Sequence, residues 1–276
     1  MTSGEGEIVV EAGAAGARYW GDLWRYRELL YFLAWRDLLV RYKQTAAGVA
    51  WALVRPLLAL AVFSFVFGRV AKLPSPDGVP YPVLVFTGLL PWQFVTTALT
   101  DAAGSLVSNA NLVGKVYFPR LLVPAAAVAV GLADTVLSML LLLVLMLATQ
   151  VAPGPRLLLL PVFVALALLA ALGAGLWLAA LNVRYRDVRL LVPFLVQLSL
   201  YASPVGFDSA VVPERWRLLF SFNPLVGVIE GFRYCLLPDA PLDLAALGIS
   251  ASLVVVLLLG GTAYFRSTER AFADVI

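Results

Sequence analysis

The sequence predicts an all-α integral membrane protein. Six transmembrane helices are expected, with an amphipathic N-terminal helix at the interface and re-entrant outer gate helices between spans five and six. Three observations predict this: the composition, the length of the apolar runs, and the placement of lysine and arginine. Of 276 residues, 62% are hydrophobic and 13% charged, against about 45–50% and about 25% in soluble domains.

A membrane helix needs roughly 20 largely apolar residues at 1.5 Å rise each. Six runs qualify, at about 47–69, 83–108, 120–148, 156–181, 188–205 and 242–265; the fifth is short and follows a charged turn. With the N-terminus inside, the inner connections carry Arg18, Arg25, Arg27, Arg36, Arg41, Lys43, Lys115, Arg120, Arg184, Arg186, Arg189, Arg266 and Arg270. The outer ones carry Arg69, Lys72, Arg156, Arg215, Arg217 and Arg233. Thirteen against six favours both termini in the cytoplasm.

The opening "MTSGEGEIVVEAGAAG" is acidic and lacks a basic start leading into an apolar run, so residues 1–21 are expected as a loose cytoplasmic tail and not a signal peptide. Residues 22–46 follow as an interface helix. Over 22–43, eight of twenty-two residues are charged, too many to cross a bilayer. At 100° per residue, Trp24, Tyr31, Trp35, Leu38 and Tyr42 form one stripe, with Arg25, Arg36 and Lys43 opposite and Arg27 spoiling the pattern. This suits a helix lying among lipid headgroups or packed on a soluble partner.

Between spans five and six, Pro213 and the pair Asn223-Pro224 mark the starts of two short helices. The run 224–237 covers about 21 Å, short of a core about 30 Å thick. A re-entrant hairpin at the outer mouth of a pathway is one reading; an external cap is the other. Arg55, Asp101 and Asp134 fall within spans, where charges usually face a bundle interior or aqueous path. Arg55 and Asp101 each lie roughly 12 Å from the same membrane face, so they are expected to pair or to reach the interface separately. Asp134 has no obvious partner.

Catalytic chemistry finds little footing. Histidine is absent and Cys235 is the one cysteine. This removes any cysteine-based metal cluster, the commonest metal ligand and the commonest general base, and no metal is expected on this chain. No G-x-x-x-x-G-K-[ST] phosphate loop occurs; "VGKV" at 113–116 lacks the upstream glycine and the hydroxyl residue. The charge excess of three is too small to argue for nucleic acid. What remains is aromatic: Phe63, Phe65 and Phe67 at the outer end of the first span, Trp92 and Phe94 in the second, Tyr201 in the fifth. Such faces can hold sugar rings through C–H surface while a polymer slides, or they can serve lipid contact and packing. Between spans two and three, "SLVSNANLVGKVYFPRLLVP" (105–124) carries Asn109, Asn111, Lys115 and Arg120 with no acidic residue.

The chain resembles the ABC-2 type permeases that export lipid-linked polysaccharides, among them O-antigen, capsule and teichoic-acid exporters. The resemblance rests on "RDLLVRYKQTAAGVAWALVRPLLALAVFSFVFGRV" (36–70), "PYPVLVFTGLLPWQFV" (80–95), "SNANLVGKVYFPRLLVP" (108–124), "NVRYRDVR" (182–189), "NPLVGVIEGFR" (223–233) and "TERAFADVI" (268–276), in family order. It implies that residues 47–276 form an ABC-2 transmembrane domain. Two copies would clasp a channel for a lipid-linked glycan above two separate ABC ATP-binding subunits. ATP and Mg²⁺ would bind those partners, with no cofactor on this chain. The link, with Asn109, Asn111, Lys115, Tyr117 and Arg120, would contact the ATPase, and the 22–43 helix would be a second contact. Residues 207–237, with Phe207, Trp216, Glu230 and Arg233, would form the outer gate. Rival readings are an exporter of a small amphiphile and a membrane glycosyl- or acyltransferase.

Overall fold

The computed structural model describes residues 16–43, 48–76, 78–185, 187–269 and 272. Tail residues 1–15, the junction 44–47, Arg186, Arg270 and the Arg18 side chain lie outside the described set. All regular structure among the described residues is helical. Eleven α-helices follow in order: α1 Gly16–Arg25, α2 Arg27–Lys43, α3 Gly48–Phe63, α4 Tyr81–Ser108, α5 Ala110–Lys115, α6 Leu122–Ala148, α7 Leu160–Arg184, α8 Val188–Tyr201, α9 Glu214–Ser221, α10 Pro224–Leu236 and α11 Leu244–Thr268.

Among the described residues, five helical segments are long and apolar enough to span a bilayer: Ala50–Val70, Tyr81–Ser108, Leu122–Ala148, Pro155–Arg184 and Leu244–Thr268. The expected fifth span differs. Helix α8 stops at Tyr201 after 14 residues, about 21 Å of rise, because "SPVG" (203–206) follows and supplies a proline and a glycine. The expected single interface helix is also two helices. The chain turns at Tyr26, whose N–H bonds to Asp22 at 2.9 Å, and Leu29 bonds back to Tyr26 at 3.0 Å.

Helix α4 is the mast of the bundle: 72% of its most apolar window is buried, against 11% for Ala50–Val70. It runs between α6 and α7. Pro91 inside it lacks an amide, so one rung of its ladder, at the Thr87 carbonyl, is missing. Helix α3 leaves Leu57, Leu58 and Val62 exposed and ends in a π-helical turn, Ser64–Val70.

Small residues set the closest approaches. A Cβ on Gly173 of α7 would stand 2.8 Å from the Leu258 nitrogen of α11, and one on Gly261 would stand 2.6 Å from the Gly173 carbonyl. Helix α10 packs on α11 the same way, with the Gly227 amide donating to Ser250 Oγ at 3.2 Å. Asn223 caps α10 as its sequence suggests, accepting from the Leu225 amide at 3.0 Å.

Two large apolar cores result. One fills the bundle between α4, α6, α7 and α10, around Phe86, Leu90, Phe163, Ile229 and Phe232. The other closes the α5 end, joining Leu33, Leu106, Val113, Phe118, Leu122, Val183, Phe265 and Phe272. Helix α1 and the end of α11 meet at this same end, where the Arg266 guanidinium lies 4.5 Å from the Tyr19 ring.

Candidate functional site: a polar link, a charged junction and a loop clasp

The link begins where α4 breaks. Asn109 leaves helical geometry (φ −107°, ψ 26°), and its side-chain amide donates to the Ser105 carbonyl at 2.9 Å. One turn on, Val113 and Phe118 are 1% and 4% exposed and sink into the second core. Around those anchors, Asn111, Lys115 and Tyr117 face outward, Tyr117 being 70% exposed. The result is a short helix and the turn after it, footed in the core, with an amide and an ammonium exposed on the helix and a phenol just beyond it.

The two remaining link residues turn inward. Asn109 Oδ1 accepts from Arg36 Nη2 of α2 at 2.6 Å. The Arg120 amide donates to Glu269 Oε1 at 2.8 Å, and its guanidinium donates to the Glu269 carbonyl. Burial pushes the Glu269 carboxyl above its ordinary range, opposed by that amide and by the charges of Arg120 and Arg266. Arg120 thereby ties the start of α6 to the end of α11.

The aromatic stripe on α1 and α2 divides. Trp24, Tyr31 and Trp35 are exposed, with Tyr31 and Trp35 stacked at 6.3 Å. Arg27, which breaks the stripe in projection, lies 5.2 Å over the Trp24 ring. Tyr42 instead turns into the bundle and donates to Asp134.

Of the two expectations for Arg55 and Asp101, a mutual pair or separate reach to the interface, the structure does not form the pair. The cation against Asp101 is Arg41, whose Nη2 lies 2.5 Å from Asp101 Oδ2 and whose Nη1 lies 2.6 Å from Asp134 Oδ2. Asp134 thus has two partners, Arg41 and Tyr42. Arg55 is exposed and opens, with Trp51, Gln93 and Thr97, onto a cavity of about 450 Å³ beside this junction. Arg41 escapes notice in the sequence because it reads as one more surface charge on an interface helix. The available signal is its position immediately before the first span, where a long side chain reaches the depth of carboxylates needing a cation.

At the opposite end a loop is held from three sides. Arg233 of α10 is 5% exposed and donates to the carbonyls of Pro204 at 2.7 Å, Phe207 at 2.9 Å and Val205 at 3.3 Å. The Tyr81 hydroxyl donates to the Gly206 carbonyl. Phe63 and Phe67, 5.4 Å apart, close over Gly206, where a Cβ would stand 3.3 Å from each ring. Phe207 lies 6.1 Å from Phe220 of α9, and Trp216 is exposed on that helix. Glu230 lines a neighbouring cavity of about 870 Å³ with Arg217 and Asp208. Of the other aromatic candidates, Trp92 donates to Ser199 Oγ at 3.2 Å, Phe94 is buried against Gly131, and Tyr201 is exposed. Sequence reasoning missed Arg36, Tyr81 and Glu269 for one reason: each acts on a residue far away in the chain.

The sequence profile of the "ABC-2 type transporter" family matches residues 28–237. The O-antigen export system permease protein RfbA of Myxococcus xanthus is 33% identical over 261 residues, covering 92% of this chain and 98% of that protein. RfbA of Klebsiella pneumoniae is 25% identical, covering 90% and 95%. The polysialic acid transport protein KpsM of Escherichia coli is 23% identical, covering 86% and 92%. A match over most of the chain, and over the link, the junction and the loop clasp alike, places this protein in the ABC-2 transporter family as a membrane permease.

Proposed function

We propose that this chain is the transmembrane subunit of an exporter that moves a lipid-linked polysaccharide, O-antigen foremost, across the inner membrane. The energy comes from ATP and Mg²⁺ in two separate ABC ATP-binding subunits. Two copies of the chain enclose the path. The α5 end and both termini face the cytoplasm, α8 serves as a short fifth crossing, and α9–α10 dip into the outer leaflet as the gate.

The observation that carries this reading is the link: Asn111, Lys115 and Tyr117 stand outward on a footing made rigid by Val113 and Phe118. Such a helix can receive a partner's movement and pass it to the spans at either end. The names of the relatives, O-antigen export and polysialic acid transport, support a glycan as cargo. Along the path, aromatic surface gives contacts that are favourable yet weak and repeated, as conduction requires.

The test is co-purification with the ATP-binding subunit and reconstitution in lipid. Lipid-linked glycan is expected to stimulate ATP hydrolysis, and a cross-linker at Lys115 to capture the ATP-binding subunit. A chain that transfers sugar by itself without ATP refutes the proposal.

A further inference from the structure

We infer that Arg41 is a positioning residue: its bridge to Asp101 and Asp134 makes α2 travel as one body with α4 and α6 and so sets where the first span begins. The purpose of that movement rests on the exporter reading above.

Helix α2 is attached to the bundle in two different ways. Its first half is held by packing, with Leu33 only 2% exposed in the core at the α5 end. Its last turns lack that support, since Leu39 and Val40 are exposed. What holds them is charge. Arg41 divides its guanidinium between carboxylates on two different helices, and Tyr42 donates to the second oxygen of Asp134. A planar fork can satisfy both at once, which a lysine ammonium cannot match in geometry. Five residues earlier on the same helix, Arg36 bonds Asn109, the first residue of the link. The link, α4 and α6 are therefore all fastened to α2 by arginines about 7.5 Å apart along its axis.

The consequence falls on the first span. Helix α3 starts a few residues after Lys43 and is the least buried of the five long apolar segments. With little packing of its own, its position follows from where α2 ends. The charged junction converts a displacement of the link into a displacement of α3.

The test separates positioning from mere stability. Arg41→Gln leaves two carboxylates without their cation and is expected to lower yield and export together. The triple variant Arg41→Gln, Asp101→Asn, Asp134→Asn removes all three charges of this half-buried junction. It is expected to recover the wild-type yield, ATPase binding and basal hydrolysis. Its glycan-stimulated hydrolysis is expected to stay about tenfold low, within the usual range of coupling between sites. Arg41→Lys is expected to fall between the two. A triple variant that exports as much glycan per ATP as the wild type overturns the inference.

A second measurement does not depend on those variants folding. Spin labels at Val40→Cys on α2 and Val136→Cys on α6, both exposed, are expected to keep one separation with and without trapped ATP. A change in that separation also overturns the inference. If the wild-type complex shows no glycan-stimulated hydrolysis, the exporter reading fails instead.

Discussion

Replacing Arg233 with alanine tests whether the loop after α8 is clasped shut. Two of its bonds, to Pro204 and Phe207, have good lengths of 2.7 and 2.9 Å. Hydrogen bonds from a charged group contribute about 1.5–3 kcal/mol each. Alanine also relieves the desolvation of the cation, so the net loss lies near the lower bound, roughly 3 kcal/mol. That corresponds to a fall in Tm of roughly 6 °C or more for a chain of this size. The loop itself reports opening. With Phe207→Cys as the reporter, the single native thiol, Cys235, is buried and silent. A membrane-impermeant maleimide applied from outside is expected to label position 207 roughly tenfold faster when Arg233→Lys is added, because lysine cannot span the separated carbonyls. An unchanged labelling rate together with an unchanged Tm refutes the clasp.

Tyr117→Ala is expected to weaken association with the ATP-binding subunit by about 2 kcal/mol, as for an exposed aromatic anchor, while leaving Tm unaltered; titration calorimetry or pull-down checks it. Gly231→Ala is expected to destabilise the fold by roughly 1–3 kcal/mol or more, since its new Cβ would stand 1.9 Å from Phe163 Cδ1; thermal unfolding in detergent reads the loss. Glu269→Ala leaves the Arg120 amide unpaired and is expected to cost about 1–2 kcal/mol, whereas Glu269→Gln keeps the acceptor. For the native Glu269, burial raises the folded-state pKa above 4.5. Its contribution is therefore fully present below that value and is lost as pH rises through the raised one. The Tm advantage of wild type over Glu269→Gln is expected to shrink across that window, and an advantage that grows with pH contradicts it.

Much of this architecture is legible in the sequence because the bilayer imposes a length and a polarity on every crossing. The long spans, the Asn223 cap and the pair of short helices before the last span all follow from such local rules. The break at Tyr26 does not, because no proline or glycine marks it and the turn is fixed by the packing of Tyr19 and Leu33 on the same core. The partner of Asp101 is missed for a related reason. Depth along a single helix ranks Arg55 first, but the choice between Arg55 and Arg41 depends on which helix lies alongside, and that is a matter of tertiary packing. The link divides the same way. Its exposed residues can be read from polarity, whereas the inward turn of Asn109 and Arg120 depends on Arg36 and Glu269, remote in sequence.

The missing rung at Pro91 gives α4 two arms that need not stay collinear. The lower arm is grasped through Asp101 and Asn109; the upper arm touches the clasped loop through Tyr81 and through Gly88, where a Cβ would meet the Val205 carbonyl at 3.0 Å. One amide hydrogen is thus missing from α4 between its two points of attachment, at the place where a helix lacking that bond bends most readily.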